Sequence, residues 1–222
     1  MKRRQFAILG LGRFGSKVAR ELYYKGQEVI AIDKDEVKIQ NIKDEVTHAY
    51  VGDITDEGAL KEAGVADCDT VVIAESTHME SNIIATQICK SLKIPQVICK
   101  ANNTIHGQIL QKIGADQIVF PEQDTAIKLV NVLTCQGVLD YFDLGEKVKI
   151  VGTKALPQWS GKSLSELDLR TKYSITVLAI RRGEESIVIP SWSTPIQKED
   201  VLILFGEEES LKKLDMDITH KT

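Results

Sequence analysis

The five residues Gln5-Phe6-Ala7-Ile8-Leu9 run straight into Gly10-Leu11-Gly12-Arg13-Phe14-Gly15, and that junction constrains the fold more than any other stretch of the chain. An apolar strand that breaks into a glycine turn and then a helix needs three glycines for three reasons. The turn needs free dihedrals at Gly10, the backbone at Gly12 must come close to a phosphate, and helix must pack on strand at Gly15. The helix expected from Ser16 to Lys25 aims its unpaired N–H groups and positive dipole end at the same anion. A second apolar run, Glu28-Val29-Ile30-Ala31-Ile32, ends in Asp33. That acid follows Gly10 at close to the offset of about 20 residues expected for a ribose-binding carboxylate. Such an acid accepts hydrogen bonds from both ribose hydroxyls and repels a 2′-phosphate. NAD(H), ADP or ATP is therefore expected, with NADP(H) disfavoured. The plainer reading is an ordinary strand-end acid beside a structural turn.

The remaining pattern gives the architecture. Strands are expected at Thr47 to Val51, Thr70 to Ala74, Gln96 to Lys100 and Gln117 to Phe120, with helices between them. The nearly unbroken apolar run Thr70-Val71-Val72-Ile73-Ala74 suits a strand covered on both faces. The helix before Gln96 shows apolar residues at Ile83, Ile84, Ile88 and Leu92. Six strands joined by helices describe an α/β, Rossmann-like doubly wound parallel sheet with its ligand above the strand ends. This nucleotide-binding domain is expected over residues 1–122. A crossover helix over 123–139 follows, with Ile127, Val130, Leu133 and Cys135 apolar. A small α+β subdomain over 140–222 completes the chain. Its strands are expected at Lys147 to Val151, Ile175 to Ile180, Ser186 to Ile189 and Val201 to Phe205, with helices near Leu164 to Leu167 and Glu207 to Leu214. The polar tail from Asp215 is expected to fray.

Composition excludes several classes. At 222 residues the chain can hold two small cores. No apolar run approaches the roughly 18 residues needed to cross a bilayer, and the Met1-Lys2-Arg3-Arg4 start leads into a strand too short for a signal-peptide core. A cytoplasmic protein is expected. The net charge of −4 divides evenly between the two halves, with no basic stripe, which argues against nucleic acid as a partner. Cys68, Cys89, Cys99 and Cys135 show no CxxC spacing and no paired histidines, so buried free thiols are expected. No GxSxG, HExxH or Walker lysine loop occurs, and no catalytic dyad emerges from spacing.

Over nearly its full length the chain resembles the RCK (KTN) proteins of the KtrA/TrkA type, cytosolic regulators of potassium channels and transporters. The resemblance rests on GLGRFG at Gly10 to Gly15, Asp33, and GDITDEGALKEAG at Gly52 to Gly64. It continues in KANN at Lys100 to Asn103, IGAD at Ile113 to Asp116, FPE at Phe120 to Glu122, and GKSLSELDLRTKY at Gly161 to Tyr173. It implies a gating subunit that binds a nucleotide without transforming it. It further implies a homodimer within an octameric ring, docked through a membrane-embedded potassium-translocating subunit on the inner face of the membrane. The helix from Glu122 would cross between two N-terminal lobes.

The resemblance also assigns sites. Arg13 would reach a terminal phosphate with a planar, bidentate guanidinium, although a solvated arginine at a helix start looks the same in sequence. Asp33 and Lys34 would hold the ribose end, and Asp53 and Ile54 the adenine, with helix capping by Asp53 or Thr55 as the plainer role. Ala74, Glu75 and Ser76 would bring backbone to the nucleotide. Glu75 departs from the small residue of relatives and would repel phosphate unless it turns away or meets a cation. Lys100 would neutralise phosphate or pair with Glu122, and His106 matches a histidine of some relatives. Glu122 would help hold Mg²⁺ or Ca²⁺ at the terminal phosphate, where hard oxygen ligands suit either ion. It could equally serve the helix dipole. Leu169, Arg170, Ile175 and Pro190 fall where some relatives bind cyclic di-AMP. Two other readings stay open: a small NAD(H)-dependent oxidoreductase, which lacks an evident acid/base histidine in the second module, and a dinucleotide-binding scaffold.

Overall fold

A computed structural model describes residues 4–75, 77–134, 138–144 and 147–219, with the backbone alone at 138–141, 143 and 215–219. The chain divides into two units, Met1–Gln123 and Asp124–Thr222.

The first unit alternates strand and helix. Strands β1 (Gln5–Leu9), β2 (Glu28–Asp33), β3 (His48–Val51), β4 (Thr70–Ile73), β5 (Gln96–Lys100) and β6 (Gln117–Val119) are joined by five helices. These are α1 (Arg13–Tyr24), α2 (Glu36–Gln40), α3 (Glu57–Glu62), α4 (Met79–Ser91) and α5 (Thr104–Ile113). All six strands are parallel, in the order β3-β2-β1-β4-β5-β6. The order reverses between β1 and β4, and the glycine loop lies at that switch point, where ligands of open α/β sheets bind. One core, including Leu9, Ile73, Val97 and Leu110, lies under α3, α4 and α5; another, with Ile8, Ala19, Val29 and Ile39, lies under α1 and α2. Every residue of β4 is buried, as expected of a strand covered on both faces.

Helix ends follow side-chain chemistry. Asp35, Asp56 and Asn103 cap α2, α3 and α5 by accepting backbone N–H bonds. The cap of α3 is thus Asp56, not Asp53 or Thr55. Helix α5 stops at Gly114, which takes φ +110°. On α4 the buried face carries Asn82, Ala85, Thr86 and Cys89, and Ile84 is exposed. Of the apolar residues expected there, Ile83, Ile88 and Leu92 pack against the core, while the fully buried positions beside them include the polar Asn82 and Thr86.

The second unit begins in α6 (Pro121–Thr134), whose first residues belong to the first unit. An antiparallel sheet of order β10-β9-β11-β8-β7 follows. It comprises β7 (Val138–Asp143), β8 (Val148–Lys154), β9 (Thr176–Arg182), β10 (Glu185–Val188) and β11 (Val201–Glu207). Helices α7 (Leu164–Leu167), α8 (Leu169–Tyr173) and α9 (Glu208–Thr219) complete it. The expected helix through Val138 gives way to strand β7, and α9 continues through part of the tail expected to fray. The core gathers Trp159, Leu167, Ile180, Leu202 and Leu204.

Candidate functional site

The glycine loop is built as the sequence requires, and each glycine is tested by what a side chain would meet. Gly10 takes φ +93°, and a Cβ there would stand 2.8 Å from the Glu75 backbone nitrogen. A Cβ on Gly15 would stand 2.0 Å from the Gly10 carbonyl oxygen. Gly12 is different. It precedes α1 with φ −66°, and a Cβ there would meet nothing within 4 Å. Among the described residues nothing crowds position 12, which leaves open space at the start of α1. No side chain caps α1, unlike α2, α3 and α5. Unpaired first-turn amides beside a bare glycine fit a phosphate.

Asp33 stands at the end of β2, nearly buried. Its Oδ2 accepts from Leu11 N at 2.7 Å and Lys38 Nζ at 3.0 Å, and its Oδ1 accepts from Asp35 N at 2.9 Å. Burial pushes its carboxyl up, but these three donors together outweigh it and hold it below the ordinary value. A carboxylate offers about four acceptor positions, and the contact from Lys38 comes from a side chain 40% exposed.

A crevice beside the loop is walled by Gly10, Asp33, Lys34, Asp53, Ile54 and Glu75, all expected in the site, with His78 and Ser81 added from the α4 end. Asp53 accepts from the Thr55 amide and hydroxyl at 2.9 and 2.7 Å, and these bonds lower its pKa. The Glu75 carboxylate folds back onto its own loop, accepting from Thr77 N at 2.6 Å and His78 N at 3.0 Å. Its charge is thus engaged by the backbone amides that lead into α4. Asn82, buried on α4, donates to the carbonyls of Glu75 and Lys100 and so ties together the ends of β4 and β5. Ala74 is buried beneath the glycine loop. Ser76 lies outside the described residues.

Arg13 is exposed at the first position of α1. Lys100 is almost buried, and its Nζ donates to Glu122 Oε1 at 2.6 Å, 6.0 Å from the Phe14 ring. The Lys100 hydrogen bond, with the charges of Lys100 and Arg13, holds the Glu122 carboxyl below its usual range. Of the two roles expected for Lys100, pairing with Glu122 is the one seen. Among the described residues no group of three or more His, Cys, Asp or Glu side chains could hold a metal ion. A lone carboxylate already occupied by an ammonium does not fit Mg²⁺ or Ca²⁺ on this chain by itself.

Two expectations change on burial. His106 is inaccessible in α5: its Nδ1 faces the Asn102 amide at 3.5 Å, its Nε2 has no partner, and burial lowers its pKa. It walls neither crevice found at the loop. Leu169 and Ile175 belong to the core of the second unit, which leaves Arg170 exposed and Pro190 half-buried. The side chains of these two residues are thus spent on the core. Cys68, Cys89 and Cys99 are buried free thiols, pushed by burial to about 12, about 12 and about 11; Cys135 lies outside the described residues.

Sequence reasoning missed Lys38, His78, Ser81 and Asn82. Lys38 follows Asp33 by five residues on a helix capped by Asp35, and that register could have flagged it. Asn82 left no such signal.

A parallel sheet with a glycine loop at its switch point and a buried strand-end acid, followed in the chain by a small antiparallel unit, defines a Rossmann-like fold with a second, smaller α+β unit. The chain belongs to the TrkA-N/TrkA-C (RCK) family: the TrkA-N domain matches residues 6–121 and the TrkA-C domain residues 155–218. It is 38% identical over 218 residues to the Ktr system potassium uptake protein C of Bacillus subtilis, covering 98% of this chain and 99% of the relative. It is 34% identical to the Ktr system potassium uptake protein A of the same organism, covering 97% of each. These relatives are named for potassium uptake, not for a catalysed reaction. Among solved structures, the GsuK channel bound to NAD superposes with a TM-score of 0.67 at 18% identity, covering 95% of this chain and 38% of that one. That likeness concerns the fold. Among the described residues no helix is long and apolar enough to cross a membrane.

Proposed function

We propose that this chain is a nucleotide-sensing gating subunit of a potassium transporter, which binds ADP or ATP without chemical change and controls potassium movement through a membrane-embedded partner. The observation that carries this reading is the Arg13, Lys100 and Glu122 arrangement. Two cations act on the carboxylate that opens α6, the helix leading into the second unit. An ADP whose diphosphate rests on Gly12 and the start of α1 would leave the Lys100–Glu122 pair in place. A further phosphate, anionic and within reach of Arg13, would compete with Glu122 for its cations and unload the first turn of α6. The nucleotide state would then pass to whatever α6 packs against.

Helix α6 supports an assembly. None of its described residues is buried, and Ile127, Val130 and Leu133 are 61%, 55% and 74% exposed at helical spacing. A homodimer through this helix, repeated into an octameric ring at the inner face of the membrane, accounts for that stripe. Location in the cytoplasm follows from this role. Calorimetry on Arg13→Ala tests the reading: ATP affinity should fall by about tenfold or more while ADP changes by less than about threefold. Equal losses for both nucleotides would remove Arg13 from the terminal phosphate.

A further inference from the structure

The hydrogen-bond ladder between β4 and β5 stops at Ile73 and Cys99. Beyond it the two chains part: Glu75 passes against the glycine loop, its nitrogen 2.8 Å from where a Cβ on Gly10 would stand, while β5 ends in Lys100. A single side chain spans the gap. Asn82 of α4 is fully buried, and its amide donates one N–H to the Glu75 carbonyl and the other, at 2.9 Å, to the Lys100 carbonyl. One turn on, the Thr86 hydroxyl donates to the Asn82 carbonyl at 2.7 Å and meets the Cys99 thiol at 3.2 Å. Around them α4 packs with Ile83, Ala85, Ile88 and Cys89, so an apolar residue would suit position 82 on packing grounds. A buried amide with both donors engaged fixes one arrangement of the strand ends instead.

We propose that Asn82 is a positioning residue for nucleotide choice: its amide holds the Lys100 backbone in register with the floor of the glycine loop, so that the Lys100 ammonium meets a third phosphate. The inference rests on reading Arg13, Lys100 and Glu122 as the sensor of that phosphate. Asn82 is not a wall residue of the crevice, although His78 and Ser81 just before it are. Its effect passes through Lys100, which is 8% exposed, with Nζ 2.6 Å from Glu122 Oε1 and 6.0 Å from the ring of Phe14 in the first turn of α1. A lysine so enclosed has little room to re-aim its ammonium by changing rotamer, so the position of its backbone decides where the charge falls. In a site of low effective dielectric, a displacement of about an ångström changes the attraction to a phosphate steeply. The diphosphate common to ADP and ATP rests on backbone N–H groups at the start of α1 and depends far less on Lys100.

The test is a double-mutant cycle on the full chain, with ATP and ADP affinities measured by calorimetry for the parent, Asn82→Ala, Lys100→Met and the two combined. Asn82→Ala is expected to weaken ATP about tenfold and ADP less than about threefold, and adding it to Lys100→Met should weaken ATP by less than about threefold more, because both changes remove one interaction. Asn82→Ser, with the same expectation, serves where alanine leaves the chain unfolded, and the thermal transition of the first unit is the check. Equal losses on both nucleotides, losses that multiply with those of Lys100→Met, or failure of both Asn82 variants to fold would make Asn82 a structural residue and overturn the proposal. If Lys100→Met shifts the ATP-to-ADP ratio and Asn82→Ala does not, the Asn82 proposal alone fails. If neither Arg13→Ala nor Lys100→Met shifts that ratio, the sensing reading fails and the Asn82 proposal falls with it.

Discussion

Gly12 and Gly15 are three residues apart and are glycine for opposite reasons. A Cβ on Gly15 collides with the Gly10 carbonyl at 2.0 Å and with the Ala74 methyl at 2.9 Å, whereas one on Gly12 meets nothing. Gly15→Ala should therefore cost on the order of 3 kcal/mol of stability through overpacking. Gly12→Ala should cost about 1 kcal/mol, the penalty for alanine at a helix N-cap, yet weaken ADP by about tenfold through lost phosphate approach. Denaturant melts and calorimetry on the two variants check this; a similar stability loss in both would mean Gly12 too is structural. The loop and Asp33 were legible because spacing alone places a strand-end acid beside a glycine turn. Lys38 was legible only once Asp35 is recognised as the cap of α2, which sets its register toward Asp33. His106 misled for a related reason: a helical histidine reads the same whether its face meets solvent or core.

Elements showed the same division between pattern and context. Strong runs such as Gln96–Lys100 matched residue for residue, while the start of β7 was assigned to the crossover helix and the rest of it to no element. Its sequence Val138-Leu139-Asp140-Tyr141-Phe142-Asp143 alternates too weakly to declare a strand, and pairing with β8 supplies the ladder that makes it one. The apolar stripe of α6 was read correctly as a stripe, but its exposure is a tertiary fact. Ile127→Asp with Leu133→Asp should convert a self-associated chain to monomer in sedimentation without loss of helicity; an unchanged sedimentation coefficient would exclude α6 as the interface. Elsewhere, Asp200 just before β11 receives two bonds of 2.8 Å from Arg182 at the end of β9. The Arg182 hydrogen bonds, opposed by burial, hold its carboxyl below the ordinary value. A depressed folded-state pKa means this contribution is complete above the unfolded carboxylate pKa and is lost as pH falls through the folded one. Asp200→Asn should destabilise the second unit near neutrality by about 2–3 kcal/mol, below the ~3–5 kcal/mol of fully buried pairs because Arg182 stays partly exposed. The gap between variant and parent should close in acid; a gap constant with pH would deny the ion pair its role.

At the scale of the molecule, two units with separate cores should unfold as two thermal transitions rather than one. ADP at a hundred times its dissociation constant should stabilise the first unit by about 2.7 kcal/mol and leave the second transition in place. Differential scanning calorimetry with and without ADP reads both; a ligand shift in the second transition would place the nucleotide elsewhere. By itself the sequence determined the Rossmann-like sheet, the glycine turn at the end of its first strand, the acid at the end of its second, and the change of pattern after the sixth strand. Those features are written in local spacing, through glycine dihedrals, strand periodicity and helix termini. Only the tertiary structure decided that Asp33 is already clasped by Lys38, that Glu75 turns back on its loop, that Lys100 is held by Glu122, and that His106, Leu169 and Ile175 are buried. Each of these depends on which side chains distant segments bring together in space, and chain order does not encode that distance.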